Sequence, residues 1–374
     1  MINILHIFDI FQRHPQFRQI RILRDFRMLH KKKGISLQEY IDFRLDLQPE
    51  SFRQSFLGLN EQRYYLDYLN PIKYYSLARN KFLAHKIFEG TGIKTSKLYC
   101  YYQPEGKTIE SDSIANDLLG VIKILKEKKV TECIIKATES SHGNNVYAVV
   151  EITYGDDNCS LKLHNNTEIS LSSIIGKTAL IFESMVRQTS QLASFNSSSV
   201  NTVRFMTALY PDNKARLVAT FIKIGRAGAC VDNAGNGGNV DACIDIDTGE
   251  LKHAIRFDGW DKITDITNHP DSGARIDGVR IENWDKIVED VLHFQECFPY
   301  IKVAGWDIAI TDDGPVVIEV NDFWDRTGQY FIRRGWRNEI RNCYLAWKDT
   351  KRKYDLQRQP NKLSERQLKA IINK

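Results

Sequence analysis

The spacing of apolar and polar positions changes character along the chain. Residues 1–75 carry apolar side chains at helical spacing among many basic and aromatic ones, which predicts a mostly helical, polar segment. Residues 76–92 (SLARNKFLAHKIFEGTG) predict a short helix, with Ser76 placed to cap its start, Gly90 or Gly92 to end it, and Leu83 and Ile87 on one face. From about residue 98 alternation takes over. The runs 97–102, 133–136, 146–152, 179–185, 201–210 and 216–223 read as strands. Helical spacing recurs over 114–128 and again over 284–298, ahead of a last β pair. Strands with helices inserted between them predict an α+β or mixed α/β architecture. The tail, 349–374, is highly polar and predicts a surface helix, and no internal repeat or low-complexity linker interrupts the chain.

The last β pair, 305–321 (GWDIAITDDGPVVIEVN), is the most informative segment. Two apolar runs flank Asp312-Asp313-Gly314, a strong turn signal. Pairing Thr311 with Pro315 across a three-residue loop sets Asp307 directly opposite Glu319. Alternation then puts Asp307, Ala309, Thr311, Val317, Glu319 and Asn321 on one face, and the apolar Ile308, Ile310, Val316, Ile318 and Val320 on the core side. Like charges directly opposite each other in a sheet repel at Cβ separations of about 4.5–5.5 Å. A hard cation such as Mg²⁺, which accepts carboxylate and amide oxygens, removes that conflict. The plainer alternative is a solvated polar face on an edge hairpin. Just beyond, Asp325, Arg326, Thr327 and Gly328 precede a helix-like run whose first N–H groups would face an anion.

Composition narrows the class. With 374 residues, 42% apolar and 26% charged, the chain can bury a large core in more than one lobe. A net charge of +5 is too small to argue for nucleic acid and suits a bound polyanion equally well. No apolar run is long enough to cross a bilayer, and the apolar start, 1–11, carries Asp9 and lacks the marks of a secretory leader. Seven scattered cysteines without a CxxC pair argue against a disulfide framework or a zinc site and for a reducing cytosol. Positive charge concentrates near the start, at Arg13, Arg18, Arg21, Arg24, Arg27 and Lys31–Lys33. That cluster is either a solvated helix face or a surface for an anionic partner, such as a membrane or a phosphorylated glycan carrier.

Three further segments carry candidate chemistry. In 133–150 (CIIKATESSHGNNVYAVV) a strand ends at Lys136, and the loop after it, with Ser140, Ser141 and Gly143, can offer backbone N–H groups to phosphate. Any hairpin with a polar turn looks similar. In 178–186 (TALIFESMV) Glu183 interrupts an apolar run and needs a partner: an adenine amino group, a ribose hydroxyl, or a structural salt bridge. Arg204, Lys223 and Arg226 lie on or beside strands where a sheet is normally apolar, which suggests anion binding in a cleft. The glycine-rich stretch 225–238 lets backbone approach a ligand closely but matches no P-loop.

In this order the elements resemble the ATP-grasp superfamily over roughly residues 76–328, most of all its sugar-transfer-associated branch, whose members also carry a basic helical N-terminal extension. The resemblance implies an α+β ATP-grasp fold with two lobes clasping ATP. It divides the chain into a helical extension (1–75), a preceding or linking region (76–130), a small lobe with the phosphate loop (131–186), a large lobe with the metal site (187–348) and the polar tail (349–374). It also implies roles. Asn80-Lys81 resembles the family's Asp-Lys, bringing Lys81 to the α-phosphate, with Asn as a departure from the pattern. Lys136 resembles the second phosphate-binding lysine, and Ser140, Ser141 and Gly143 the loop over the phosphates. Glu183, Ser184, Met185 and Val186 resemble the hinge that meets adenine, with Gln188 and Gln191 as candidates for ribose. Asp307, Glu319 and Asn321 resemble the metal triad, for Mg²⁺ with Mn²⁺ as the alternative. Arg204 and Arg226, with Lys223 beside them, resemble cations at the transferred phosphoryl group. Where the D-alanine–D-alanine ligase branch has an Arg two residues before the metal Asp, this chain has Gly305.

What the resemblance implies for function is an ADP-forming carboxylate–amine ligase working through an acyl phosphate. Its substrates would be a small-molecule carboxylate and an amine, one of them a glycan or lipid-linked glycan destined for the cell surface and the other an amino acid or peptide. The expected location is the cytoplasm, at the inner face of the membrane, with peripheral contact through the basic N-terminal helices and no nucleic-acid partner. The alternatives are a phosphotransferase on the same fold and a non-catalytic nucleotide-binding module. Nine histidines fall in no distinctive motif, and no Ser–His–Asp or Cys–His arrangement stands out.

Overall fold

The computed structural model describes residues 16–106, 111–139, 146–228, 239–258, 263–350, 364 and 366–367. Helices α1 (Gln16–Lys33), α2 (Leu37–Asp42), α3 (Glu50–Ser55), α4 (Leu59–Leu69), α5 (Tyr75–Arg79) and α6 (Lys81–Thr91) come first. Next come β1 (Leu98–Tyr102), β2 (Ile114–Ala115), α7 (Leu118–Glu127), β3 (Cys133–Ala137), β4 (Val146–Tyr154), β5 (Cys159–Leu163), β6 (Glu168–Ser170) and β7 (Leu180–Glu183). After α8 (Ser190–Ala193) the chain forms β8 (Thr202–Leu209), β9 (Ala215–Ile224), β10 (Val240–Ile244), β11 (Leu251–Phe257), β12 (Ile263–Asp265), α9 (Trp284–Cys297), β13 (Val303–Thr311) and β14 (Gly314–Asn321). Helices α10 (Thr327–Phe331) and α11 (Arg337–Asp349) follow.

The strands form two seven-stranded sheets, in the orders β2-β1-β7-β3-β4-β5-β6 and β12-β11-β10-β9-β8-β13-β14. Strand β1 pairs directly with β7, so the division expected at residue 130 falls inside one sheet. Sequence patterning missed β5, β6, β10, β11 and β12. In β10 the run VDACI is buried on both faces, and Asp241 breaks what would otherwise be a continuous apolar run, which blurs the signal.

Helix boundaries moved for reasons visible in the caps. The helix expected over 114–128 gives up Ile114–Ala115 to β2 and starts later, because Asp117 accepts the Gly120 N–H at 2.7 Å. The helix expected over 76–92 breaks in two at Asn80, whose side chain accepts the Leu83 N–H at 3.1 Å and so takes the capping role expected of Ser76. Gly92, at φ +74°, ends α6 in the left-handed conformation that glycine adopts without strain.

The large sheet is covered on both faces. On one side Trp306, Phe205 and Ile308 pack with Trp284 and Val291 of α9. On the other, Met206, Ala208 and Val218 pack with Tyr64, Tyr65 and Leu69 of α4 and with Trp336 and Trp347 near α11. The last part of the expected extension is therefore core of this lobe. Polar ties agree: Gln62 donates to the Trp324 carbonyl at 3.0 Å, Gln329 exchanges hydrogen bonds with the Leu57 backbone at 2.8 and 3.1 Å, and Arg337 meets the fully buried Glu61 at 2.7 Å. Arg326 is drawn into the same packing by Glu39 at 3.3 Å, and α10 is only five residues long. A helix does start at Thr327, within the expected 325–328, but its first N–H donates to the Asp325 carboxylate at 2.6 Å and Arg326 is paired with Glu39. The tail beyond residue 350 lies almost wholly outside the described residues.

Two glycines test this packing. A Cβ on Gly335 would run into the Ser55 carbonyl and the Phe56 nitrogen, which are backbone atoms and cannot turn aside. Gly335→Ala should lower unfolding stability by about 1–3 kcal/mol. Gly90, near the end of α6, has nothing within 4 Å of a Cβ, and Gly90→Ala should raise stability by about 0.5–1 kcal/mol. Urea denaturation of the two variants reads both signs, and coincident midpoints would contradict the packing described.

Candidate functional site

The β13–β14 hairpin opposes Asp307 to Glu319, but by another route than expected. Thr311 pairs with Gly314, so the turn is the two residues Asp312–Asp313, and Gly314 takes φ +102°. A bulge between Asp307 and Ile308 then takes up one residue, Ile318, and restores the Asp307–Glu319 and Gly305–Asn321 pairs. The expected faces change accordingly. Val317 turns into the core beside Ile308 and Ile310, while Ile318 lines the cleft.

On its other edge β13 pairs Asp307 with Arg204 of β8. Arg204 donates through Nε to Asp307 Oδ1 at 2.7 Å and through Nη2 to Oδ2 at 2.9 Å, a bidentate clamp. Lys223 of β9 reaches Oδ1 at 3.0 Å, and the Asn321 amide nitrogen stands 3.4 Å from Oδ2. Asp307 is only 6% exposed. Burial is the largest influence on its carboxyl and favours the protonated form, but the charges of Arg204 and Lys223 outweigh it and hold the group well below the usual carboxylate range. Gly305 leaves room for this: a Cβ there would lie 3.4 Å from Arg204 Cδ and 3.5 Å from its Nη1. An arginine at 305 would compete for the space that Arg204 occupies.

The other lysines arrive from elsewhere in the chain. Lys81 stands 3.6 Å from Glu319, and its backbone N–H donates to the Thr138 carbonyl at 2.9 Å, docking α6 against the end of β3. Asn80 accepts from Leu83 while donating to Glu139 at 3.1 Å, a double role an Asp could not fill. Lys136 is ion-paired with Glu183, whose other oxygen accepts from the Ser96 hydroxyl at 2.9 Å. Of the partners open to Glu183, the salt bridge is the one formed. The carboxylate holds Lys136 in place while it borders the cavity.

Lys81, Lys136, Glu183, Lys223, Asp307 and Glu319 all line one cavity of about 370 Å³ between the sheets. Ile134, Ala148, Met185, Val186 and Ile318 line it too, an apolar surface suited to a flat heterocycle. The hinge runs through Ser184, whose N–H donates to the Lys97 carbonyl at 2.8 Å, to Thr189, whose N–H donates to the Ile310 carbonyl at 2.9 Å. Gln188 borders the cavity, but its amide donates to the Asn196 and Ser199 carbonyls at 2.9 and 3.0 Å and accepts from the Asn201 N–H at 2.9 Å.

The structure does not bring together every expected residue. Gln191 lies away from the cavity lining, and its side chain is taken by the Arg280 carbonyl at 2.8 Å and the Glu282 N–H at 3.3 Å. Arg226 is held by both Asp271 oxygens at 2.7 Å, and Ala227 donates to the same carboxylate at 2.8 Å. That arrangement depresses the Asp271 carboxyl and braces the base of the glycine-rich stretch; it does not line the cleft. Ser140, Ser141, Gly143 and residues 229–238 lie outside the described residues. Sequence reasoning missed the Ser197–Ser199 run, which borders the cavity, and Asp241, fully buried and directly across from Lys223. The available signals were three serines ahead of a strand and an acid inside an apolar one.

Two carboxylates and an amide on paired strands are the donor set a hard divalent cation takes. Around Asp307, Glu319 and Glu183 stand Lys81, Lys136, Arg204 and Lys223, so each carboxylate has a cation beside it. Among the described residues no group of three or more His, Cys, Asp or Glu could hold a metal, since the third donor here is an amide. Thiol chemistry has no foothold at Cys100, Cys133 or Cys343, where burial pushes each thiol up to about 12.

Arg204→Ala would strip a buried carboxylate of its bidentate partner and should destabilise the protein by about 3–5 kcal/mol. Urea denaturation reads this, and a loss below about 1 kcal/mol would mean the pair is worth no more than a surface one.

The family model described as sugar-transfer associated ATP-grasp matches residues 60–343. Among solved structures, N5-carboxyaminoimidazole ribonucleotide synthetase from Thermotoga maritima is 13% identical with a TM-score of 0.39, over 74% of this chain and 52% of the synthetase. The chain thus spans about half the length of that protein. Phosphoribosylamine–glycine ligase from the same organism is 11% identical with a TM-score of 0.44, over 82% and 63% of the two chains. D-alanine–D-alanine ligase from Bacillus anthracis is 14% identical with a TM-score of 0.40, over 84% and 87%. Likenesses this weak bear on neither substrate nor mechanism. Comparison with curated proteins gives no match.

Proposed function

The chain belongs to the sugar-transfer associated ATP-grasp family, and on that footing we propose that it is an ADP-forming ligase joining a carboxylate to an amine. The observation that carries the reading is the meeting of Lys81, Lys136, Asp307 and Glu319 around one cavity of about 370 Å³ with a partly apolar lining, with Asn321 beside Asp307 on the paired strand. Ile134, Ala148 and Met185 would hold the base of ATP, and Lys81 and Lys136 its phosphates. Glu319, Asn321 and Asp307 would hold Mg²⁺ or Mn²⁺, which would supply charge neutralisation and polarise a phosphoryl oxygen.

An oxygen of the substrate carboxylate attacks the γ-phosphorus, the bond to the β-phosphate oxygen breaks, and ADP leaves. The amine nitrogen then attacks the acyl carbon, inorganic phosphate leaves, and one proton goes to solvent. Arg204 and Lys223 stabilise charge at the transferred group. Glu183 positions Lys136, and Arg226 with Asp271 braces the loop beside the acceptor. The family's association with sugar transfer supports a glycan or lipid-linked glycan as one substrate and an amino acid or peptide as the other.

ADP release that requires both an acid and an amine is the expected result in a coupled assay with Mg-ATP. Release of AMP and pyrophosphate would overturn the ligase reading, and phosphate retained on the acceptor would replace it with a phosphotransferase. Glu319→Gln should lower turnover on the order of 100-fold or more.

Helix α1 supports a location for that chemistry. Ile20 and Leu23 are 60% and 46% exposed, flanked by exposed Arg21, Arg24, Arg27 and Lys31. The acid of this stretch, Asp25, turns inward to Tyr40 at 2.9 Å and Arg53 at 3.2 Å. No described helix is long and apolar enough to cross a membrane, so any contact through α1 is peripheral. The full chain should co-sediment with vesicles containing anionic phospholipid and not with zwitterionic ones. Combining Arg24→Glu with Arg27→Glu should weaken this at least about tenfold. Equal binding to both vesicle types, or none to either, would remove the membrane from the reading.

A further inference from the structure

Asp307 has little acceptor capacity left. An ionised carboxylate offers about four lone-pair positions. Arg204 takes one on each oxygen, Lys223 takes a second on Oδ1, and the Asn321 amide nitrogen lies beside Oδ2. Both positions on Oδ1 are thus taken, and a divalent cation cannot bind that oxygen unless a donor withdraws. Arg204 is ill suited to leave, because its planar fork is matched to both oxygens at once. Lys223 makes a single contact from a flexible stem. It also lines the cavity and lies on β9 directly across from the fully buried Asp241 of β10. Paired residues in a sheet share a face, so the Lys223 ammonium has a second carboxylate close by, and any phosphate entering the cavity would be a third anion within its range.

We propose that Lys223 is the counter-ion of the metal site: in the nucleotide-free protein its ammonium holds the place on Asp307 that a divalent cation takes once a nucleotide's phosphates draw the lysine away. The idea rests on the functional reading above for the identity of that nucleotide. Its electrostatic logic is local. Replacing a monovalent ammonium by a divalent ion beside Arg204 adds positive charge next to an existing cation unless phosphate arrives with it. Metal and nucleotide affinities are then coupled, each raising the other by the same factor.

The test is Mn²⁺ binding to the full chain, followed by electron paramagnetic resonance, with and without a non-hydrolysable ATP analogue. Wild type should bind Mn²⁺ weakly alone and at least about tenfold more tightly with the analogue. Lys223→Met, which keeps the length of the stem and removes the charge, should bind nucleotide-free Mn²⁺ at least about tenfold more tightly than wild type. Lys223→Arg, which keeps the charge, should not. Lys223→Gln provides a second neutral variant if the methionine one fails to fold. Unchanged nucleotide-free Mn²⁺ affinity in the neutral variants, or wild-type affinity indifferent to the analogue it binds, would overturn the proposal. A protein that binds no analogue at all would instead overturn the functional reading, while the nucleotide-free comparison still decides the part played by Lys223.

Discussion

Burying a carboxylate inside a sheet is unfavourable unless opposite charge comes with it, and Asp307 is nearly inaccessible on a strand paired along both edges. Its neighbours follow from that constraint. Strand β13 lies between β8 and β14, so each side of Asp307 faces a residue fixed by sheet register: Arg204 on one, Glu319 on the other. Lys223 enters from the next strand, and Gly305 is small because the Arg204 side chain runs past it. The cations that look misplaced on strands become the partners an ionised Asp307 requires. The same charges then face a cavity whose size and lining suit a nucleotide.

The helical N-terminal region takes part in this arrangement from behind. Asn70 brackets Val303, donating to its carbonyl at 2.7 Å and accepting from its N–H at 3.0 Å, and also donates to the Asp322 carbonyl at 2.7 Å. Arg79 clamps the Asp322 carboxylate at 2.9 and 2.8 Å while lying 4.2 Å over the Tyr75 ring. The start of β13 and the end of β14 are thus tied to residues 70–79, immediately before Lys81 begins the helix that enters the cleft. Chain continuity links the tether of the metal strands to the lysine that faces them.

Much of this was legible in sequence, for identifiable reasons. The hairpin could be read because alternation and Asp-Asp-Gly fix a strand pair locally, and Lys136 because it closes an apolar run before a polar turn, whereas Lys81 was legible only through the likeness of Asn80-Lys81 to the family's Asp-Lys. What could not be read depended on contacts distant in sequence. Gln191 resembles a cleft residue until Arg280, 89 residues later, takes its amide. Arg226 looks catalytic until Asp271, 45 residues away, takes two of its guanidinium nitrogens. Glu183 could be placed in a buried strand, but its ion pair with Lys136 depends on the pairing of β3 with β7. The outer strands of the large sheet escaped because Asp241 interrupts the apolar pattern, and its cross-strand neighbour Lys223 lies on another strand.

The bulge at Ile318 separates two properties that a plain hairpin would lock together. A three-residue turn with no bulge and a two-residue turn with one both bring Glu319 opposite Asp307. Moving one residue between the turn and the strand therefore leaves the acid pair aligned, while changing whether Val317 or Ile318 faces the ligand. The hairpin works as a vernier: the position of the donors is held while the apolar surface beside them can be re-cut. Related chains can thus differ in turn length and in the shape of the cleft wall without disturbing the acids, so variation at this turn is a place to look for altered ligand preference rather than for lost activity.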